Sequence, residues 1–76
     1  MIELTPTQAN MLTFIRNFSA GNGYPPTRAE ISRNFGWASA NAAQEHLNAL
    51  VKKGAIRIAK GLARGITVVG GARELL

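Results

Sequence analysis

The sequence contains no cysteine and has no long apolar run. Without cysteine the chain has neither a disulfide framework nor thiolate ligands for a metal ion. A membrane span requires roughly 18 consecutive apolar residues, and the start of the chain lacks the basic and apolar segments of a signal peptide. These absences argue against a secreted or membrane-inserted chain and favour the cytoplasm.

Acidic residues are also scarce. Four of them stand against nine Lys and Arg, which gives a formal net charge of +5, although charged residues make up only 17% of the chain. The positive excess favours an acidic partner, and nucleic acid is favoured over an anionic membrane because the sequence shows no basic amphipathic helix. A basic domain whose charge has no specific use is the alternative that composition leaves open.

Length is the third limit. A chain of 76 residues forms one domain at most and has no room for an enzyme-sized cleft. Catalysis is therefore not expected, and neither is a small-molecule substrate.

Two helices with similar starts are predicted in the first half of the chain. Thr5-Pro6-Thr7-Gln8 and Thr27-Arg28-Ala29-Glu30 both have the capping-box pattern, so helices should begin at Pro6 and Arg28. Gly21-Asn22-Gly23 and Gly36 should end them. The buried face of the first helix is predicted from residues spaced three or four apart: Met11, Leu12, Phe14, Ile15 and Phe18.

A third helix is predicted between Ser39, a favourable N-cap residue, and Gly54. At about 100° per residue, its polar side chains fall into one stripe: Asn41, Gln44, Glu45, Asn48 and Lys52. The opposite, core-facing side holds Ala40, Ala43, Leu47, Leu50 and Val51. Two helices joined by a short turn, the second longer and polar on its outer side, describe a helix-turn-helix.

Beyond Gly54 the period of the apolar residues changes to two. Ile56 and Ile58 alternate with other residues, as do Ile66 and Val68, and the glycines between them favour a hairpin. The predicted fold is therefore mainly α with a small β-hairpin, a winged helix-turn-helix of three helices followed by a two-stranded antiparallel wing. We expect this domain to span residues 1–69 and residues 70–76 to form a flexible tail.

The outer stripe of the third helix suggests binding to double-stranded DNA. An α-helix fits the major groove, where Asn and Gln pair with adenine and a carboxylate accepts from cytosine. The predicted base contacts are Asn41, Ala42, Gln44 and Glu45, with Ala42 small enough to meet a thymine methyl. An ordinary solvent-exposed helix face is the alternative.

Phosphate contacts should come from the surrounding polar and basic residues. Thr27 and Arg28 begin the second helix, where free N–H groups and the helix dipole suit an anion. Lys60 and Arg64 lie on the wing, where a cation has little structural purpose. Lys52 and Lys53 end the third helix, so interaction with its dipole explains them as well as phosphate binding does.

Other chemistry has little support. His46 has neither a cysteine nor a second histidine with which to share a metal, so no metal site is predicted. No serine has a base at a spacing that indicates a nucleophile, and no phosphate-binding glycine motif is present. Neither catalytic residues nor cofactors are therefore predicted, and Trp37 is expected to pack between the second and third helices.

Several segments together resemble the DNA-binding domain of the LexA repressor family. They are Pro25-Pro26-Thr27-Arg28-Ala29-Glu30-Ile31, Ser39-Ala40-Asn41-Ala42-Ala43-Gln44-Glu45-His46-Leu47, Lys53-Gly54 and Arg64-Gly65-Ile66. The resemblance implies a winged helix-turn-helix whose recognition helix contacts bases through Ser39, Asn41, Ala42 and Glu45. It also implies a bacterial or phage-encoded repressor of DNA-damage-response genes, acting at the nucleoid, that binds a palindrome of CTGT-type half-sites as a dimer.

Two departures from the enterobacterial pattern bear on specificity. Gln44 replaces an acidic residue and Ala38 a basic one, so the preferred half-site is expected to differ. The family's self-cleaving dimerisation domain is not expected within these 76 residues. A protein-interaction module that pairs with a full-length repressor and modulates it is the alternative function.

Overall fold

A computed structural model describes residues 3–69. It contains helices α1 (Pro6–Asn22), α2 (Arg28–Phe35) and α3 (Ala40–Lys52), then strands β1 (Ile56–Ile58) and β2 (Ile66–Val68). The strands form an antiparallel pair in which Ile56 lies opposite Val68 and Ile58 opposite Ile66. The predicted winged helix-turn-helix is thus confirmed, whereas the predicted tail lies outside the described residues.

The helix boundaries follow the local signals in the sequence. Both predicted capping boxes form, with Thr5 and Gln8 at α1 and with Thr27 and Glu30 at α2. Gly36 ends α2 with a φ of 73°, a left-handed conformation that glycine adopts without steric cost and that directs the chain into the turn before α3. The short α2 and the tight turn after it set the orientation of α3 relative to α2.

The start of α3 differs from the other two. Ser39 occupies the N-cap position with extended backbone angles, φ −149° and ψ 162°, but its side chain makes no capping hydrogen bond. The expectation of a capping serine is therefore right about the position and wrong about the hydroxyl. Because Ser39 is exposed, its hydroxyl is accessible to a binding partner at the N-terminal end of α3.

One core joins the helices to the wing. Its fully buried residues are Met11, Ile15, Ile31, Ala43, Leu47 and Leu50, with Ala55, Ile56 and Ile66 added from the hairpin side. Val51, which was predicted to face the core, is instead 41% exposed. At about 100° per residue it falls at the edge of the buried face, one step beyond Leu50, where the neighbouring elements do not cover it.

Trp37 packs where the sequence predicts, between α2 and α3. Its ring stacks on Phe35 at a centroid distance of 4.9 Å and on His46 at 4.7 Å. The backbone N–H of Trp37 donates to Ser32 O at 2.9 Å, and the Ser32 hydroxyl donates to Ser39 O at 2.8 Å. This stack and the two hydrogen bonds fix α3 relative to α2, and they give His46 a structural role.

Candidate nucleic-acid interface

The polar stripe of α3 lies on the outside of the domain. Asn41, Glu45, Asn48 and Lys52 are exposed and Gln44 is half-buried. On the opposite side of the helix Ala43, Leu47 and Leu50 are completely buried, so the helix is held rigidly from behind. A helix fixed in this way can present its outer side chains to a groove without first ordering its backbone.

A chain of hydrogen bonds links α2 to this outer face. Arg28 Nη1 donates to Gln44 Oε1 at 2.9 Å, and Gln44 Nε2 donates to Asn48 Oδ1 at 2.7 Å. From the sequence, Arg28 is expected to contact a phosphate and Gln44 a base, with no relation between the two. Their contact spans 16 residues, and no local pattern reports it.

A cavity of about 420 Å³ lies between α3 and the wing. Arg28 and Gln44 line it from the helices, and Lys60 and Leu62 line it from the wing loop. Leu62 is 64% exposed, so the loop extends into solvent beside the cation. The structure therefore brings Gln44, a predicted base contact, together with Arg28 and Lys60, two predicted phosphate contacts, around one cavity.

The wing loop closes tightly behind Lys60. The N–H of Ala59 donates to Gly65 O at 2.9 Å, and a Cβ at position 65 would lie 2.8 Å from Ala59 O. Only glycine allows this approach of the two backbones without displacement. Gly61, with a φ of 80°, makes the turn on the other side of the loop.

Arg64 anchors the wing to the helices. Its guanidinium forms a bidentate pair with Glu30, donates to Pro25 O at 2.9 Å, and lies 4.5 Å from the centre of the Tyr24 ring. The expectation that wing cations have little structural purpose is thus wrong for Arg64. Glu30 and Tyr24, which the sequence analysis missed as its partners, lie 34 and 40 residues away in the chain, a separation over which sequence periodicity carries no signal.

This contact alters the ionisation of both groups. The hydrogen bonds from Arg64, followed by that from the Thr27 backbone, lower the pKa of Glu30 to about 2. The Glu30 carboxylate in turn raises the pKa of Arg64. Glu30 therefore stays ionised at neutral pH, and it holds both the start of α2 and the base of the wing.

The two lysines at the end of α3 have different surroundings. Lys52 is exposed at the end of the polar stripe. The ammonium of Lys53 donates to Glu3 O at 2.8 Å and to Gln8 Oε1 at 2.7 Å. Lys53 thus ties the end of α3 to the chain segment that enters α1, a contact that neither the dipole nor the phosphate interpretation anticipated.

The described residues contain neither a membrane-spanning helix nor a cluster suited to a metal. Within residues 3–69 no helix is long and apolar enough to cross a bilayer. In the same part of the chain no three His, Cys, Asp or Glu side chains come together as metal ligands would.

The three helices, the hairpin wing and the outward polar face of α3 define a winged helix-turn-helix protein. Residues 1–65 match the LexA DNA binding domain, and the chain belongs to that family. It is 54% identical over 70 residues to the LexA repressor of Pseudomonas chlororaphis, covering 92% of this chain and 35% of that protein. The LexA repressor of Marinomonas sp. (strain MWYL1) is 55% identical over 69 residues, covering 91% of this chain and 33% of the relative.

The matched segment is a minor part of those relatives. This chain spans about a third of the length of the curated LexA repressors that it matches. The family assignment therefore concerns the winged helix-turn-helix domain alone.

Proposed function

We propose that this chain binds double-stranded DNA at specific sequences and acts as a bacterial or phage-encoded transcriptional repressor at the nucleoid. The observation that carries the proposal is the outward face of α3, whose amide and carboxylate side chains stand on a helix anchored in the core by Ala43, Leu47 and Leu50. Such a helix enters the major groove with its N-terminal residues at the base edges. The proposed base contacts are Ser39, Asn41, Ala42, Gln44 and Glu45.

Phosphate contacts would surround this helix, from Thr27, Arg28, Lys52, Lys53, Lys60 and Arg64. The exposed ammonium groups of Lys52 and Lys60 are best suited, since each projects from the end of α3 or from the wing loop. Arg64 and Lys53 would share their donors between DNA and the partners that they already have within the protein. We expect these two to contribute less to affinity than the exposed cations do.

The operator is proposed from the resemblance to LexA repressors. CTGT-type half-sites in a palindrome, occupied by two copies of the domain, are the starting hypothesis for an operator of DNA-damage-response genes. Gln44 and Ala38 depart from the enterobacterial pattern, so the bases next to this motif should differ.

Selection from a random duplex library tests the proposal directly. We expect the enriched sequences to contain a half-site related to CTGT, and titration of that site against a scrambled duplex at two salt concentrations to retain the preference. Weak binding that ignores sequence and disappears with salt would overturn it. That outcome, combined with association with a full-length LexA repressor, would instead support the protein-interaction module.

A further inference from the structure

We propose that Arg28 is a positioning residue for base readout, which fixes the amide of Gln44 in the one orientation that reads adenine. This inference rests on the proposed function, since it concerns how the same α3 face distinguishes bases. It gives Arg28 a part in sequence specificity in addition to any contact with a phosphate.

The chemistry of the guanidinium decides which way the Gln44 amide points. Arginine carries only donors, so the atom facing Arg28 Nη1 at 2.9 Å must be the amide oxygen. The amide nitrogen then faces Asn48 and donates to its Oδ1 at 2.7 Å. A flipped Gln44 would put donor against donor at Arg28, whereas the Asn48 amide has a donor and an acceptor and can turn to suit either orientation. Arg28 therefore sets the orientation of both amides.

A count of the remaining donors and acceptors gives the base that fits. The oxygen of Gln44 has two lone pairs and its nitrogen two hydrogens, and one of each is used within the protein. One acceptor and one donor remain. Adenine presents one donor, its N6 amino group, and one acceptor, N7, in the major groove, whereas guanine presents two acceptors there and would leave the second lone pair of the Gln44 oxygen without a donor.

The position of the pair supports a role at the DNA surface. Arg28 and Gln44 line the same cavity between α3 and the wing, and Gln44 lies in the first half of α3, the part that reaches base edges. Leu47, less than one turn further along, is fully buried and holds the helix in place. With the helix backbone fixed, only the side-chain torsions of Gln44 remain free. Arg28 restricts them by a hydrogen bond that the charge of the guanidinium strengthens.

Base preference at every operator position, measured for the parent protein and five variants, tests the inference. The variants are Arg28→Ala, Gln44→Ala, the double variant, Arg28→Lys, and Arg33→Ala as a control that removes the same charge from the same helix. We expect Gln44→Ala to reduce the preference for adenine at one position by on the order of tenfold. Arg28→Ala should relax the same position, and the double variant should relax it no further than Gln44→Ala does.

A phosphate contact alone gives a different result. Removing one weakens binding to all duplexes alike and leaves the ranking of bases unchanged. Arg28→Lys, which keeps a donor for Gln44 Oε1, should retain the adenine preference, and Arg33→Ala should leave the ranking intact. An unchanged ranking in Arg28→Ala, or a change at a position that Gln44→Ala does not affect, would overturn the inference while the proposed function stands. A parent protein without any sequence preference would remove the proposed function itself.

Discussion

The Arg64 guanidinium and the Glu30 carboxylate form two parallel hydrogen bonds, Nη1 to Oε1 at 2.8 Å and Nη2 to Oε2 at 2.9 Å. A bidentate pair of this kind fixes direction as well as distance. Glu30 also accepts from the Thr27 N–H at 2.8 Å, so one carboxylate links the first turn of α2 to the wing. The start of α2 and the base of the wing are therefore held at a set separation.

Acid should weaken this link and the fold with it. The pKa of Glu30 is lowered from 4.5 to about 2 in the folded protein, chiefly by Arg64. Because the folded value lies below the unfolded one, the ionised carboxylate stabilises the fold above about pH 4.5, and the contribution is lost as the pH falls toward 2. Thermal melts across this range should show the loss in the parent. Glu30→Gln, which keeps an N3 capping group, should lack this component, and equal pH dependence in both would contradict the assignment.

Lys60 should contribute charge but no sequence information. It is exposed on the wing loop and lines the cavity beside α3. If it neutralises a phosphate, Lys60→Ala should reduce the slope of log affinity against log salt by about 0.9 and leave the preferred sequence unchanged. Lys60→Arg keeps the charge and should keep the slope. A parental slope in Lys60→Ala would show that the wing lysine does not reach the backbone.

Lys53 should matter more for folding than its neighbour Lys52. Its ammonium holds Glu3 O and the side chain of Gln8, which is only 8% exposed. We expect Lys53→Ala to lower the free energy of unfolding by about 1 kcal/mol, because it removes two hydrogen bonds, one of them to a nearly buried amide. Lys52→Ala should have little effect on chemical denaturation. Equal stabilities of the two variants would mean that the contact is not maintained in solution.

The sequence predicts the elements better than the contacts between them. The capping boxes at Thr5 and Thr27 and the glycine at position 36 locate the helix ends, because each signal is confined to a few neighbouring residues. The outer stripe of α3 follows from helical periodicity in the same way. The pairing of Arg64 with Glu30 joins residues 34 apart and depends on how the wing folds back onto α2, so no local pattern contains it.

The errors have the same origin. Ser39 is of a residue type that favours the N-cap position, yet its hydroxyl makes no hydrogen bond to the N–H groups at the start of α3. Val51 is an apolar residue of a type common in cores, yet it is 41% exposed because it lies at the edge of the buried face of α3. The missing hydrogen bond of Ser39 and the exposure of Val51 both depend on how the elements pack together, which the residue type alone does not predict.

Asn41 should be a specific contact that the fold does not need. It is exposed in the first turn of α3, on the side opposite the buried residues. Asn41→Ala should cost about 1 to 3 kcal/mol in specific binding while the thermal melt stays unchanged. Asn17→Ala, an exposed asparagine on α1, is the matched control. Competition against random duplex measures the loss, and parental specificity in Asn41→Ala would remove it from the site.

Assembly should depend on DNA. The core uses most of the apolar side chains of the helices and the hairpin, and the large ones that stay exposed within residues 3–69 are Tyr24, Val51 and Leu62. A monomer in free solution is therefore expected, with two copies meeting only on a palindrome. One module should bind a single half-site weakly, near the non-specific range of about 10⁻⁴ to 10⁻⁶ M.

Joining two copies should tighten binding without any new contact to DNA. Fusion to a dimerising domain raises the effective concentration of the second copy, and we expect a gain of roughly 10² to 10⁴ in affinity on a duplex with two half-sites. On a duplex with one half-site the fused and unfused proteins should bind alike, which makes that duplex the control. Sedimentation of the free protein at tens of micromolar completes the test. A stable dimer without DNA would contradict the prediction, because it would require an apolar interface that the exposed side chains of residues 3–69 do not provide.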